Sequence, residues 1–190
     1  MKRSIRPRNQ FVVGFCGLAV AGLLVASPGL AGATPSVGST VLSPSFAKSI
    51  GFSKTVQPAK QTKVTTQKGC TASVEAVYED AGGKTGLVSE TLQCNSASAA
   101  TKALTSARKQ VKVDTSFKAP KKLGSTAFVT ATDAPEYLIA WVNGARVAIT
   151  AVDVNIASTA TSTTVASSPL TAAQMKTLST AALKQNSLYH

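Results

Sequence analysis

Histidine is nearly missing from this 190-residue chain: the single one is His190, the last residue. Histidine is the commonest side chain for moving protons near neutral pH and for holding transition metals, and a terminal residue is normally frayed. Its scarcity argues against a histidine-based nucleophile or metal centre. Acids are scarce too, eight against twenty basic residues, which leaves little material for chemistry run by carboxylates alone. One tryptophan, three tyrosines and six phenylalanines are not interleaved with the basic residues, so the stacking platform of a single-strand nucleic-acid binder is not expected. Past residue 25 no apolar run approaches the roughly twenty residues of a spanning helix. The composition predicts no metal, no cofactor, no nucleic-acid partner and no enzyme.

What the chain does have is an export leader. Lys2, Arg3, Arg6 and Arg8 form a basic start, Phe11 to Val25 is apolar, and Ser27, Pro28 and Gly29 break the helix. Ala31-Gly32-Ala33 then supplies the small side chains that signal peptidase needs, with cleavage expected between Ala33 and Thr34. A retained anchor is the alternative, and Cys16 lacks the small residues before it that lipidation wants. With the four leader cations gone, sixteen basic residues stand against eight acids in the remaining 157, about one domain's worth of chain. Export also changes the meaning of cysteine. Only Cys70 and Cys94 stay with the mature chain, and in an oxidising compartment an even pair reads as a disulfide. The expected location is secreted, extracellular or associated with the cell envelope.

Residues 34–42 are rich in Pro, Ser, Gly and Thr and read as a flexible segment ahead of a single domain over 43–190. Ser43 as N-cap and Pro44 at the first helical position predict a short helix to Ile50. Ser53 to Gly69 is polar, with a weak edge strand around Thr62 to Thr66. Cys70 to Glu79 alternates, with Ala72, Val74, Ala76 and Tyr78 on one face, and Leu87 to Cys94 returns after the turn residues Asp80 to Lys84. Such an antiparallel hairpin sets the two cysteines side by side. A helix follows to about Val111, with Ala100, Ala103, Leu104, Ala107 and Val111 as its buried stripe and Lys102 and Lys109 on the solvent side.

A strand begins near Leu123, and Glu136 to Val142 is apolar on both sides, as a central strand covered on both faces should be. Asn143-Gly144 reads as a two-residue hairpin turn, with a return strand from Ala145 to about Ile156 that would be the longest in the sheet. The stretch 157–168 reads as a Ser/Thr/Ala-rich loop. Thr171 and Gln174 form a capping box for a last helix to about Gln185. The layout is α+β: a mostly antiparallel sheet of about five to six strands packed by two or three helices, with one disulfide.

The acids fall mainly at strand ends, turns or exposed alternating positions, with Glu79 and Asp80 solvated beside a turn, so the facing carboxylates of a glycosidase are not expected. Gly82-Gly83-Lys84 is hairpin chemistry rather than a phosphate loop, since no helix follows at the required spacing. Arg108, Lys109, Lys112, Lys118, Lys121 and Lys122 are the candidate anion-binding patch. In the last helical turn such cations also complement the helix dipole, and lysines keep an exported chain soluble. The expected partners are an anionic envelope polymer, a small apolar ligand or an envelope protein.

The opening Leu42-Ser43-Pro44-Ser45-Phe46-Ala47-Lys48-Ser49-Ile50-Gly51, the cysteine-bounded hairpin, and Leu123-Gly124-Ser125-Thr126-Ala127-Phe128 leading to Tyr137 and Asn143-Gly144 resemble small exported actinobacterial proteins. These include lipoproteins and kinase-sensor-like ectodomains with a PsbP-like α/β sandwich. The resemblance implies a non-catalytic binding or accessory module with its ligand between sheet and helix. This chain departs from that group in lacking the lipid-attachment motif and the second disulfide of the kinase sensors.

Overall fold

A computed structural model describes residues 37–111, 113–131, 136–154 and 171–189. The leader with its Ala33/Thr34 cleavage site, Lys112, the loop 157–168 and His190 lie outside the described residues. The chain enters through a 3-10 turn, Val37–Thr40, followed by α1 (Pro44–Ser49), β1 (Lys54–Lys63), β2 (Cys70–Glu79) and β3 (Thr85–Cys94). Next come α2 (Ala97–Arg108), a 3-10 turn (Lys121–Leu123), β4 (Phe128–Ala131), β5 (Glu136–Asn143) and β6 (Arg146–Val154). α3 (Ala172–Asn186) and a closing turn, Ser187–Tyr189, complete it. The fold is α+β, and among the described residues no helix is long and apolar enough to cross a membrane.

The six strands form one antiparallel sheet in the order β1-β2-β3-β6-β5-β4. It consists of two three-stranded meanders joined where β3 pairs with β6. The helices pack on opposite faces. Ala100, Ala103, Leu104 and Ala107 of α2 join Leu92, Phe128, Leu138, Ala140, Val147 and Ile149 on one face. On the other, Leu178, Ala181 and Ala182 of α3 meet Tyr137, Ile139, Trp141, Ala148 and Val152, together with Val41, Leu42, Ala47 and Phe52 from the chain's entry. Alternation along β5 therefore feeds both layers, and its Tyr137, Leu138, Ile139, Ala140 and Trp141 are all buried. The alanines of both helices let backbone approach the sheet closely.

Local chemistry explains the ends of these elements. Ser43 accepts from the Phe46 amide and Ser96 from the Ala99 amide. Thr171 accepts from the Gln174 amide while the Gln174 side chain reaches back to the Thr171 amide, so the capping box forms. In the β2–β3 turn Asp80 accepts from the Lys84 amide at 2.9 Å, which holds its carboxyl below the usual range, and Gly83 takes a φ of 64°. Cys70 and Cys94 are register partners and are joined by the disulfide.

Three expectations need correction. The weak strand near 62–66 is a ten-residue edge strand over Lys54–Lys63; its exposed lysines, Pro58 and two register shifts against β2 hide a strand pattern while blunting the edge against further pairing. Residues 37–42 are not free chain: Thr40, Val41 and Leu42 are buried, because the Leu42 amide donates to Ser89 Oγ at 3.0 Å and the Tyr78 hydroxyl donates to the Leu42 carbonyl. Asn143 is the last residue of β5, paired with Arg146, so the two-residue turn is Gly144-Ala145, with Gly144 at φ 57°. Over its described length β6 has nine residues, Arg146–Val154, and its expected end near Ile156 lies outside the described residues.

Candidate functional site

The described members of the basic set, Arg108, Lys109, Lys118, Lys121 and Lys122, do not fall on one surface. Arg108 and Lys109 sit at the C-terminal end of α2, where Arg108 lies over the Phe128 ring at 5.5 Å from its centroid. Val113 then pairs with Thr130 at the sheet's edge, and beyond that bridge Phe117, Ala119 and Leu123 pack into the layer on the opposite face. Lys118, Lys121 and Lys122, all exposed, belong to that segment. The chain thus crosses the β4 edge between the two halves of the patch.

On the outer face of α2 a different grouping appears. Lys102 and Lys109, two helical turns apart, flank Thr105 and Ser106, and with Thr101 these residues border a shallow, open depression of ≈ 310 Å³. No acid occurs anywhere in α2. Two flexible, exposed ammonium groups over a floor of hydroxyls can meet an anion from several directions with little desolvation, which suits weak, salt-sensitive contact with polyanions.

The second arrangement was not legible as a site in the sequence. Glu75 on β2 and Glu90 on β3 are register partners, on the sheet face that also carries α2. Ser73 donates to Glu90 Oε1 at 2.7 Å and Gln57 of β1 donates to Glu75 Oε1 at 3.0 Å. Glu90 is only 9% exposed. Burial pushes its carboxyl up to about 7, with the Ser73 hydrogen bond opposing and the neighbouring Glu75 charge adding to the shift. Burial also raises Glu75, against the pull of Gln57. The expectation that the acids are exposed or at strand ends is therefore corrected for this pair, whose alternating positions face a desolvated part of the sheet. Glu79 is corrected as well: it is 8% exposed and pairs with Lys54 at 3.4 Å. Glu75 and Glu90 lie side by side on adjacent strands rather than on opposite walls of a cleft.

The third arrangement is a buried polar knot beneath α3. Gln185 accepts from Thr150 Oγ1 at 2.7 Å, and its amide donates to the Glu90 carbonyl at 2.8 Å, with the Tyr189 hydroxyl and Thr91 Oγ1 at 3.1 and 3.2 Å. Thr91 donates to the Thr40 carbonyl at 2.9 Å, so the Tyr189 hydroxyl is the donor in the 2.8 Å Thr91–Tyr189 contact. Burial pushes the Tyr189 phenol up to about 12, although Thr91, Gln185 and Arg146 each lower it. At the sheet's end Asn186 accepts from Trp141 Nε1 and from the Asn143 amide. The Gln185, Thr150, Thr91 and Tyr189 side chains all donate inside the fold, and the knot ties the chain's entry, the sheet and its last turn together. Among the described residues, no group of three or more His, Cys, Asp or Glu side chains could hold a metal ion.

No protein-family model and no curated protein matches the chain. Among solved structures it is similar to the extracellular domain of PknH from Mycobacterium tuberculosis, with 11% identity and a TM-score of 0.40 over 78% of this chain and 93% of that one.

Proposed function

We propose that this chain is an exported, non-catalytic binding or accessory domain of the cell envelope, which engages an anionic envelope polymer through the outer face of α2. The observation that carries the reading is the depression bordered by Lys102, Lys109 and three hydroxyl side chains on an acid-free helix. Export is supported by the leader and by the disulfide, since such bonds persist in oxidising compartments. Lys118, Lys121 and Lys122, across the β4 edge, supply a second cationic surface that a long polymer can reach and a small ligand cannot.

The test is release of the protein from isolated envelopes as salt is raised. At about 1 M salt the screening length falls to about 3 Å, so the protein is expected in the soluble fraction, and the Lys102→Glu, Lys109→Glu double variant should fail to sediment with envelopes even at low salt. Retention of both proteins at high salt overturns the polymer reading and favours an apolar ligand or a protein partner.

A further inference from the structure

We infer that Glu75 and Glu90, directly opposed on β2 and β3, act as a proton-operated latch for the first meander: one proton shared between them closes the three strands, and its release loosens them. The argument starts from register. Side chains directly opposite on an antiparallel pair stand about 5 Å apart at Cβ, and like charges there repel. In this pair the repulsion is not relieved by a cation. Lys60 is the register partner of Glu75 on β1 but is exposed, and Lys54 pairs instead with Glu79. From β6 the neighbour of Glu90 is Ile149. The charged residues of α2 and its cap, Lys102, Arg108 and Lys109, are exposed, and among the described residues no ion pair joins any of them to Glu90.

With both carboxyls ionised, two negative charges face each other where one is almost fully removed from water. With a single proton bound, the protonated carboxyl becomes a donor toward the other carboxylate, and repulsion turns into a charge-assisted hydrogen bond. The neighbours relay this across three strands: Ser73 and Glu75 from β2, Glu90 from β3, and Gln57 from β1, which holds Glu75. β2 and β3 stay tied at one end by the Cys70–Cys94 disulfide and on the opposite face by the packing of Val74, Ala76, Tyr78 and Leu87, so the loosening is confined to the ladder around Glu75 and Glu90 and to β1. The second meander, covered on both faces by α2 and α3, is insulated from the change. The proton comes from and returns to solvent, and no other reactant is needed. This inference is independent of the polymer reading.

The test is a carbon-13 NMR titration of the glutamate carboxyls with amide-exchange protection factors at about pH 5 and about pH 8, which bracket the near-neutral proton. The wild type should show one glutamate titrating near neutrality, absent in Glu90→Gln. In Glu75→Gln the Glu90 midpoint should move down, each unit being a tenfold change in proton affinity. Protection of β1, β2 and β3 amides should fall at least about tenfold at the higher pH relative to β5 and β6 in the wild type and stay level in Glu90→Gln, since one unit of proton affinity is tenfold. Ordinary midpoints for every glutamate, an unmoved Glu90 midpoint in Glu75→Gln, or protection falling equally in both meanders overturns the latch. Should Glu90→Gln fail to fold, the Glu75→Gln titration decides alone.

Discussion

Replacing Gln185 should be among the costliest single changes in this protein, because it is a fully buried polar side chain with every atom engaged. It is 0% exposed. In Gln185→Ala the Thr150 hydroxyl loses its acceptor, a desolvated donor left unsatisfied at about 1–3 kcal/mol. The void left by the missing side chain adds about 1–2 kcal/mol, since surrounding structure relaxes only in part. The sum is about 2–5 kcal/mol, a large share of the roughly 5–15 kcal/mol that holds a typical domain together. Gln185→Met refills most of the volume without the hydrogen bonds and should cost about 2 kcal/mol, which separates the polar from the packing contribution. Gln174 on the same helix is the control: it works only at the exposed capping box, so Gln174→Ala should cost about 1 kcal/mol or less. Urea denaturation followed by the fluorescence of Trp141, the only tryptophan and fully buried, reads all three. A Gln185→Ala protein within 1 kcal/mol of wild type, or no less stable than Gln174→Ala, would refute the reasoning.

Three further outcomes follow from the same structure. Removing the Cys70–Cys94 bridge by paired serine substitution, which opens a sequence separation of 24, should cost about 3 kcal/mol, seen as a lower denaturation midpoint that reductant no longer changes. Because Glu90 is raised from 4.5 to about 7, the folded state binds more protons than the unfolded one between those values. Its contribution is full below about pH 4.5 and is lost as pH rises through about 7, so the wild type should lose about 3 kcal/mol relative to Glu90→Gln across that window; parallel stability curves would count against it. Tyr189, raised to about 12, should remain a neutral phenol until the fold itself gives way. A near-ultraviolet titration should show the late component reduced in Tyr189→Phe, the remainder coming from buried Tyr78, whose phenol burial also raises, and stability should fall as pH climbs from about 10 toward about 12. Ionisation of every tyrosine near pH 10 would contradict this.

Much of the architecture could be read from one-dimensional patterns. Alternation announced β2 and the doubly covered β5, helical spacing announced the alanine stripe of α2, and Thr171 with Gln174 announced the start of α3. The cysteine pair and the hairpin predicted each other because antiparallel register sets a strand's first residue beside its partner's last. β1 was legible only as a weak edge strand around Thr62 to Thr66 rather than over Lys54–Lys63, since an edge strand with both faces in water carries no apolar period, only lysines, a proline and bulges. The Asn143-Gly144 reading missed by one residue because Asn143 is recruited by Asn186, a residue of α3 distant in the chain, and that contact keeps it in the strand.

Composition and periodicity by themselves determined the class of fold, the order of its elements, the disulfide and the shortage of groups for bond-making chemistry, because each depends on residue type or on neighbours a few positions apart. Tertiary structure alone decided which polar residues matter. Glu75 and Glu90 are fifteen positions apart in the chain and face each other only once β2 and β3 are in register. Gln185 becomes the centre of a buried knot only when α3 lies across β3 and β6, and Arg108 and Lys109 are separated from Lys118, Lys121 and Lys122 only because the chain passes around the β4 edge. Burial and pairing over long sequence distances set a side chain's charge state and worth, and no local pattern encodes them.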